Sequence, residues 1–185
     1  MKKIIILLVV LQSVMIFSQV KSPRIMGWYT TVDANIGYDL ADIIRTSLSN
    51  EDDIIYENQE FGRFNYGFSA QIGFQPIRRF SLSAGFRYSY ITPNFHLLYN
   101  VFQANYFINL NQSEDFDYIF LKGGSQMNKS AVDDAGFIGI GYGKIEPLGK
   151  HFGHQYQIFM ESQVHHEGTW FIGVSYGITL FNKKL

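Results

Sequence analysis

The chain contains no cysteine, so no disulfide can staple it and no lipid-modified cysteine can anchor its start. Proline is scarce, with Pro23, Pro76, Pro93 and Pro147 as its four instances. Charge is scarce too, at 17 % of 185 residues. Beyond the first eighteen residues, no apolar run approaches the ~20 residues that a spanning helix requires. Any passage through a bilayer must therefore use strands. There is also no excess of positive charge: without Lys2 and Lys3, 13 basic side chains face 16 acidic ones, a net charge near −3. Nothing in that balance attracts nucleic acid. Aromatics are what the chain does have, with 17 Phe and 12 Tyr against 15 Lys plus Arg.

The N-terminus reads as an export signal. Lys2 and Lys3 form a basic start, Ile4 to Phe17 an apolar stretch interrupted by Gln12 and Ser13, and Ile16 and Ser18 occupy the −3 and −1 positions of a cleavage site before Gln19. The apolar stretch is shorter than a membrane anchor needs. Residues 1–18 are therefore set apart from the fold, and Gln19 to Leu185 makes one domain's worth of chain.

Period-two alternation dominates that chain. From Trp28 to Leu40 the even positions are Trp, Thr, Val, Ala, Ile, Tyr and Leu, and the odd ones Tyr, Thr, Asp, Asn, Gly and Asp. Phe64–Gln75, Phe80–Tyr90 and Trp170–Phe181 repeat the pattern, as two-faced strands do. Four further strands are expected at Leu98–Leu110, Phe116–Gly124, Gly136–Glu146 and Gln155–His165. In the first of these Val101 and Phe107 spoil the polar face, and the phase of Phe116–Gly124 is ambiguous. All four prolines are expected outside strands, because an interior ladder needs every N–H. The spacing predicts short turns at Pro76–Arg79, Asn111–Asp115 and Pro147–His151 on one side. On the other side it predicts loops at Ala41–Arg63, Thr92–His96, Ser125–Ala135 and His166–Gly168, the first being the longest. Eight strands, an even number, close a sheet and leave no edge. Ten result if the first loop is split at Ile54–Tyr56.

Alternation does not say which face is outside. A solvated surface normally carries many Lys and Glu. Here the polar face is Gly, Ser, Thr, Asn and Gln, with Asp33, Arg87 and Glu161 as its few charges. Small polar side chains suit the narrow interior of an eight-stranded barrel, and the bulky apolar face would overfill it. The apolar face is thus expected to meet lipid. Trp28, Phe74, Phe80 and Phe181 at one rim, and Tyr38, Phe64, Tyr66, Tyr88, Tyr90 and Trp170 at the other, would form two aromatic girdles. The expected fold is all-β: a closed antiparallel up-and-down transmembrane β-barrel.

On these features the chain resembles the small outer-membrane barrels of the OmpA-transmembrane, OmpX and opacity-protein type. The segments GFIGIGYGKIEPLGKHFGHQYQIF and GVSYGITLF resemble the Bacteroidetes-type porin-family outer membrane proteins. The resemblance rests on pattern over nearly all of the mature chain and carries over no functional residue. It implies residues 19–26 on the periplasmic side, a barrel over 27–182, residence in a Gram-negative outer membrane, and contact with its lipid and lipopolysaccharide. Asn182–Leu185 depart from the terminal aromatic usual in such families.

Several groups invite chemistry. Asp33, Arg87 and Glu161 share the inward face and are expected to form an ion network that fills the lumen, because buried charges need partners; a gate or proton path is the alternative use. His165, His166 and Glu167 gather at the last hairpin and His96 at another, while His151 and His154 lie at the opposite side. A lipid A-modifying enzyme would need a Ser–His–acid set there. Ser162, Glu161 and His165 do not form one, since successive strand residues point to opposite faces. Two histidines and a carboxylate can bind zinc, but adjacent His165 and His166 point apart. No cofactor and no metal are expected. Loop 41–63 carries Glu51, Asp52, Asp53, Glu57 and Glu60 around Ile54–Ile55. Its spacing does not match an EF-hand, and it is the expected surface for an extracellular partner. A monomer with a structural or interactive role is the expectation, with a narrow channel for small solutes as another.

Overall fold

The computed structural model describes residues 25–48, 63–108, 115–130, 134–164 and 169–182. Eight strands form a closed barrel in which each is hydrogen-bonded to its sequence neighbours. They are β1 (Trp28–Asp39), β2 (Phe64–Ile77), β3 (Phe80–Ile91), β4 (Phe95–Phe107), β5 (Phe116–Gln126), β6 (Gly136–Pro147), β7 (Phe152–Val164) and β8 (Thr169–Phe181). Antiparallel pairing of β1 with β8, from Tyr29 opposite Phe181 to Asp39 opposite Phe171, completes the ring. The end carrying residues 25–27 and 182 is called here the terminal end, and the opposite one the loop end. The signal segment 1–18 and the proposed split at Ile54–Tyr56 lie outside the described residues.

Alternation maps onto the two faces of the wall. Val32, Phe68, Ile72, Phe102 and Ile158 are all more than half exposed, at 55–64 %, while their neighbours Asp33, Ser69, Gln71, Gln103 and Gln157 are buried inside. On β5 the even positions Phe116, Tyr118, Phe120 and Lys122 turn inward, and Ile119 and Leu121 turn outward. Both of its faces are apolar, so periodicity alone had no phase to read.

The interior is bulkier than the sequence pattern suggests, and glycine explains how it fits. Tyr29 stands directly opposite Gly73, Phe137 opposite Gly124, Tyr118 opposite Gly143, Phe120 opposite Gly141, and Phe159 opposite Gly173. In each pair a Cβ on the glycine would lie 2.1–2.7 Å from the partner's ring. The rings therefore lie over bare backbone on the next strand and do not compete for the barrel axis. Val101 and Phe107, which spoil the polar face of β4, are likewise inward and buried. These side chains build two apolar clusters. One, at the terminal end, includes Met26, Phe107, Phe116 and Phe181. The other, at the loop end, includes Ile91, Leu97, Tyr99 and Phe171.

Three expectations are corrected. Phe181 points into the lumen at 4 % exposure and is no member of an outer girdle. Odd positions of β8 face inward, and the last aromatic falls on that phase. Pro76 lies within β2 and Pro147 ends β6, so two prolines belong to strands. Pro76 sits where the β2–β3 register shifts between Phe74 and Ile77, a bulge that needs no N–H there. The first loop does not begin as a plain hairpin extension: a helix, α1 (Leu40–Leu48), follows β1 directly. Asp39 caps it, its Oδ1 accepting the Ala41 N–H at 2.8 Å. Leu40, Ile43 and Ile44 carry the i, i+3, i+4 spacing that marks the helix in retrospect.

Candidate lumen site

Inward positions of β1, β3, β5 and β7 bring four charges, Asp33, Arg87, Lys122 and Glu161, into the barrel's interior. Glu161 on β7 is wholly buried and serves two cations. Arg87 Nη1 on β3 donates to its Oε2 at 2.5 Å, and Lys122 Nζ on β5 lies 3.3 Å from the same oxygen. The other carboxylate oxygen, Oε1, accepts from Gln163 Nε2 at 2.6 Å, and Gln163 Oε1 in turn accepts from the Tyr99 hydroxyl at 2.7 Å. Arg87 Nη2 reaches Asn35 Oδ1 at 3.3 Å. Aromatic rings hold both cations: the Arg87 guanidinium lies 4.8 Å from the Phe137 centroid and Lys122 Nζ 4.0 Å from that of Phe159.

Asp33 occupies the same lumen but has a different role. Its carboxylate accepts from Ser69 Oγ at 2.5 Å and from Ser175 Oγ at 3.0 Å, so hydroxyls from the two flanking strands hold it. Of the three residues expected to form the ion network, the structure pairs Arg87 with Glu161 and leaves Asp33 to its serines. Sequence reasoning missed Lys122, because it sits on the one strand whose phase was ambiguous. With Lys122 included, the middle of the lumen holds two cations, Arg87 and Lys122, and two carboxylates, Asp33 and Glu161, while Asp39, also buried, lies at the loop end beside α1.

Further polar links extend along the wall. Ser83 Oγ donates to Gln71 Oε1 at 2.8 Å, and Tyr29, Ser81 and Asn105 join at 3.0–3.2 Å near the terminal end. This arrangement can hold charge in place and seal a lumen. It offers no activated nucleophile. Glu161 is taken up by two cations, and Ser162 stands on the opposite, outward face. His165, His166 and Glu167 lie outside the described residues, as do Glu51, Asp52, Asp53, Glu57 and Glu60. Among the described residues, no three His, Asp or Glu side chains gather as a metal site. His96 contacts Tyr88 OH at 2.6 Å, His154 contacts Tyr176 OH at 3.1 Å, and His151 contacts the Phe181 carbonyl at 3.2 Å, three separate places.

The outward face is apolar through the middle of the wall. Its charges, Asp117, Lys144 and Glu146, sit at the terminal end. There Tyr142 OH donates to Asp117 at 2.6 Å, and Lys144 bridges Asp115 at 2.9 Å and Glu146 at 2.6 Å. The outward polar pair Asn100 and Ser125 satisfy one another at 2.8 Å. Ring pairs mark both rims: Trp28–Phe74 and Tyr156–Tyr176 at the terminal end, Tyr38–Phe64, Tyr66–Tyr90 and Phe68–Tyr88 towards the loop end.

No protein-family model matches the chain, and no curated protein matches it. Solved structures do. It is similar to Neisserial surface protein A at 13 % identity, with a TM-score of 0.57 over 84 % of this chain and 97 % of that one. A weaker likeness, TM-score 0.46 at 14 % identity over 82 % and 96 % of the two chains, is to the N-terminal β-barrel domain of Pseudomonas aeruginosa OprF. The first of these shows the fold, a closed antiparallel barrel of eight strands.

Proposed function

We propose that the chain is an integral outer-membrane barrel with a structural or surface-interaction role and a closed lumen. The observation that carries this reading is the apolar exterior between two aromatic rims, in which the polar pair Asn100 and Ser125 satisfy one another. A wall of 11–14-residue strands, rising ~3.4 Å per residue and tilted by ~40°, spans roughly 30 Å, the thickness of a hydrocarbon core. Trp28, Trp170, Phe68 and Phe102 on a water-facing surface would make one continuous apolar patch far larger than soluble monomers expose. Export through the signal over residues 1–18, with cleavage after Ser18, follows from this location, and N-terminal sequencing of the membrane-extracted protein should begin at Gln19. The Bacteroidetes-type porin family is the subgroup its sequence segments favour.

The closed lumen is supported by the two apolar clusters and by the contacts of Glu161 with Arg87 and Lys122 between them. Planar-bilayer recordings of the refolded barrel should show no conductance steps; steady steps would overturn the sealed reading. One observation favours a second reading, a narrow path for small solutes: Glu161 Oε2 touches Arg87 and Lys122 together, so a small side-chain rotation can favour either cation. The same recordings decide between them. The protein acts on no substrate in this proposal, and lipid A mass spectra should be identical with and without it. Loop 41–63 is the proposed partner surface, and its deletion should leave the folded barrel intact while removing any surface binding. The barrel is taken to be a monomer in contact with lipid and lipopolysaccharide.

A further inference from the structure

The apolar exterior is not an even surface. On the wall of β2–β5 a groove of about 680 Å³ runs from Trp28 and Phe74 near the terminal end to Asn100 and Ser125 towards the loop end. Small outward residues make its floor. Ala104 on β4 has Leu82 and Leu121 on either side, and Gly123 on β5 has Phe102 and Ile138. Beyond its chain neighbours, a Cβ built on Gly123 would have one described atom within 4 Å, the Phe137 carbonyl oxygen at 3.2 Å. The floor is therefore open to the outside, and both banks are apolar.

The register gives the direction of the groove. The row of opposed residues that starts at Trp28 crosses β4 at Ala104 and β7 at Met160, and returns to β1 at Tyr38, ten residues further on. That stagger over the eight strands, at ~3.4 Å per residue and ~4.8 Å between strands, tilts them by roughly 40° from the barrel axis. The step from Ala104 to Gly123 goes one strand on and two residues towards the loop end, so it lies within roughly 10° of that axis. The other diagonal circles the wall at a shallow pitch. Along it Asn100, Tyr88, Tyr66 and Tyr38 succeed one another, so Asn100 stands at the height of the loop-end aromatic rim.

An apolar groove along the membrane normal fits a chain that itself runs along the normal. We propose that it seats one acyl chain of lipopolysaccharide in the loop-side leaflet, with the carbonyl at the head of that chain held at Asn100 and Ser125. The proposal rests on the reading of the barrel as lipid-facing with its loop end outermost. Width selects the occupant. Leu82 and Leu121 stand two strand spacings apart, ~10 Å between backbones, so a file of methylenes passes between their side chains and a helix 10–12 Å across does not. Length agrees, since the groove climbs roughly 20 Å along the axis and one leaflet's hydrocarbon is ~15 Å deep. The polar pair marks the head. Asn100 Oδ1 accepts the Ser125 N–H at 2.9 Å and the Ser125 hydroxyl at 2.8 Å, so what the pair offers a ligand is the Asn100 amide, a donor. A donor at the height of the aromatic rim suits an ester or amide carbonyl, which lies where headgroup meets hydrocarbon.

The test uses the full mature barrel refolded in phosphocholine micelles and followed by amide resonances. Titration with purified lipid A is expected to give saturable shifts at the backbone amides of Ala104 and Gly123 and at the Asn100 side-chain amide, and none at Ile172 or Ile178 on β8. Phosphatidylglycerol is expected to give no saturable shift. Gly123→Leu fills the floor and should abolish the shift at Asn100. Ala104→Leu does the same from the neighbouring strand, and serves where the first variant does not fold. Asn100→Leu keeps the groove and should weaken binding about fivefold, the worth of one hydrogen bond. Nuclear Overhauser contacts between micelle methylenes and outward methyls around the whole wall read the lipid-facing assignment separately. If those contacts are present but lipid A gives no saturable shift, phosphatidylglycerol gives the same one, or both floor variants keep it, the groove proposal is overturned while the lipid-facing reading stands. Shifts of the same amides on raising protein concentration without lipid A would put a second copy in the groove and overturn it too. Absence of micelle contacts on the wall overturns both.

Discussion

Glu161→Gln offers the sharpest test of how the lumen is held. The substitution keeps shape and one hydrogen-bonding oxygen but removes the charge that two buried cations share, at 2.5 Å from Arg87 and 3.3 Å from Lys122. In the middle of the lumen, Arg87 and Lys122 then face Asp33 as the one remaining carboxylate. Removing one partner of a buried ion pair costs about 3–5 kcal/mol, because the remaining charge is stranded. Two cations are stranded here, which pushes towards the upper end. Their contacts with Phe137 and Phe159 offset it by roughly 1 kcal/mol each. A net loss of about 3 kcal/mol remains, or roughly 1.5 M in urea midpoint for a slope near 2 kcal/mol/M. Urea unfolding in micelles, followed by the fluorescence of the two outward tryptophans, Trp28 and Trp170, measures it. Lys122→Met is the companion. It leaves the Arg87–Glu161 pair intact and should cost less than half as much, and adding it to Glu161→Gln should recover stability. If Glu161→Gln shifts the midpoint by under about 0.5 M, or if Lys122→Met costs as much, the shared carboxylate does not organise the lumen and the reasoning fails.

Other consequences are as direct. Gly143→Ala would set a methyl 2.3 Å from Tyr118 Cζ and force the ring off its bond with Gln157, so a loss of about 1–3 kcal/mol in the same unfolding assay is expected. Phe102→Arg, at an outward position 64 % exposed, should cost about 2–4 kcal/mol when the barrel is folded in lipid vesicles. A surface arginine in water would cost almost nothing, so an unchanged vesicle stability would remove the lipid-facing assignment. Asp39→Ala removes the cap of α1 and should cost about 1 kcal/mol locally. Amide hydrogen exchange over residues 40–48 should then quicken about fivefold while the strands keep their protection.

Much of this protein was legible because a strand writes its two faces into every second residue. Position parity puts Val32, Ile72 and Ile158 on one face and Asp33, Arg87 and Glu161 on the other, and the small, charge-poor character of the second face marks it as the inner one. Expected and observed strands overlap throughout, with ends displaced by a few residues: Leu98–Leu110 is in fact Phe95–Phe107, and Gln155–His165 is Phe152–Val164. Parity fails where both faces are apolar, as on β5, and that failure hid Lys122. It also gives no hint of α1, where the period changes from 2 to 3.6 within one turn of the chain.

What the sequence determined by itself was therefore the faces: which side chains look in, which look out, and that the outward set has no use for water. Partners were decided only by the tertiary structure. Arg87 and Glu161 are separated by 74 residues, and only the closed register of eight strands brings Glu161 between Arg87 and Lys122 while leaving Asp33 to Ser69 and Ser175. The same register sets Tyr118 over Gly143 and Phe159 over Gly173. Periodicity is a local property of one strand, whereas contact across a lumen depends on how all the strands are staggered when the sheet closes.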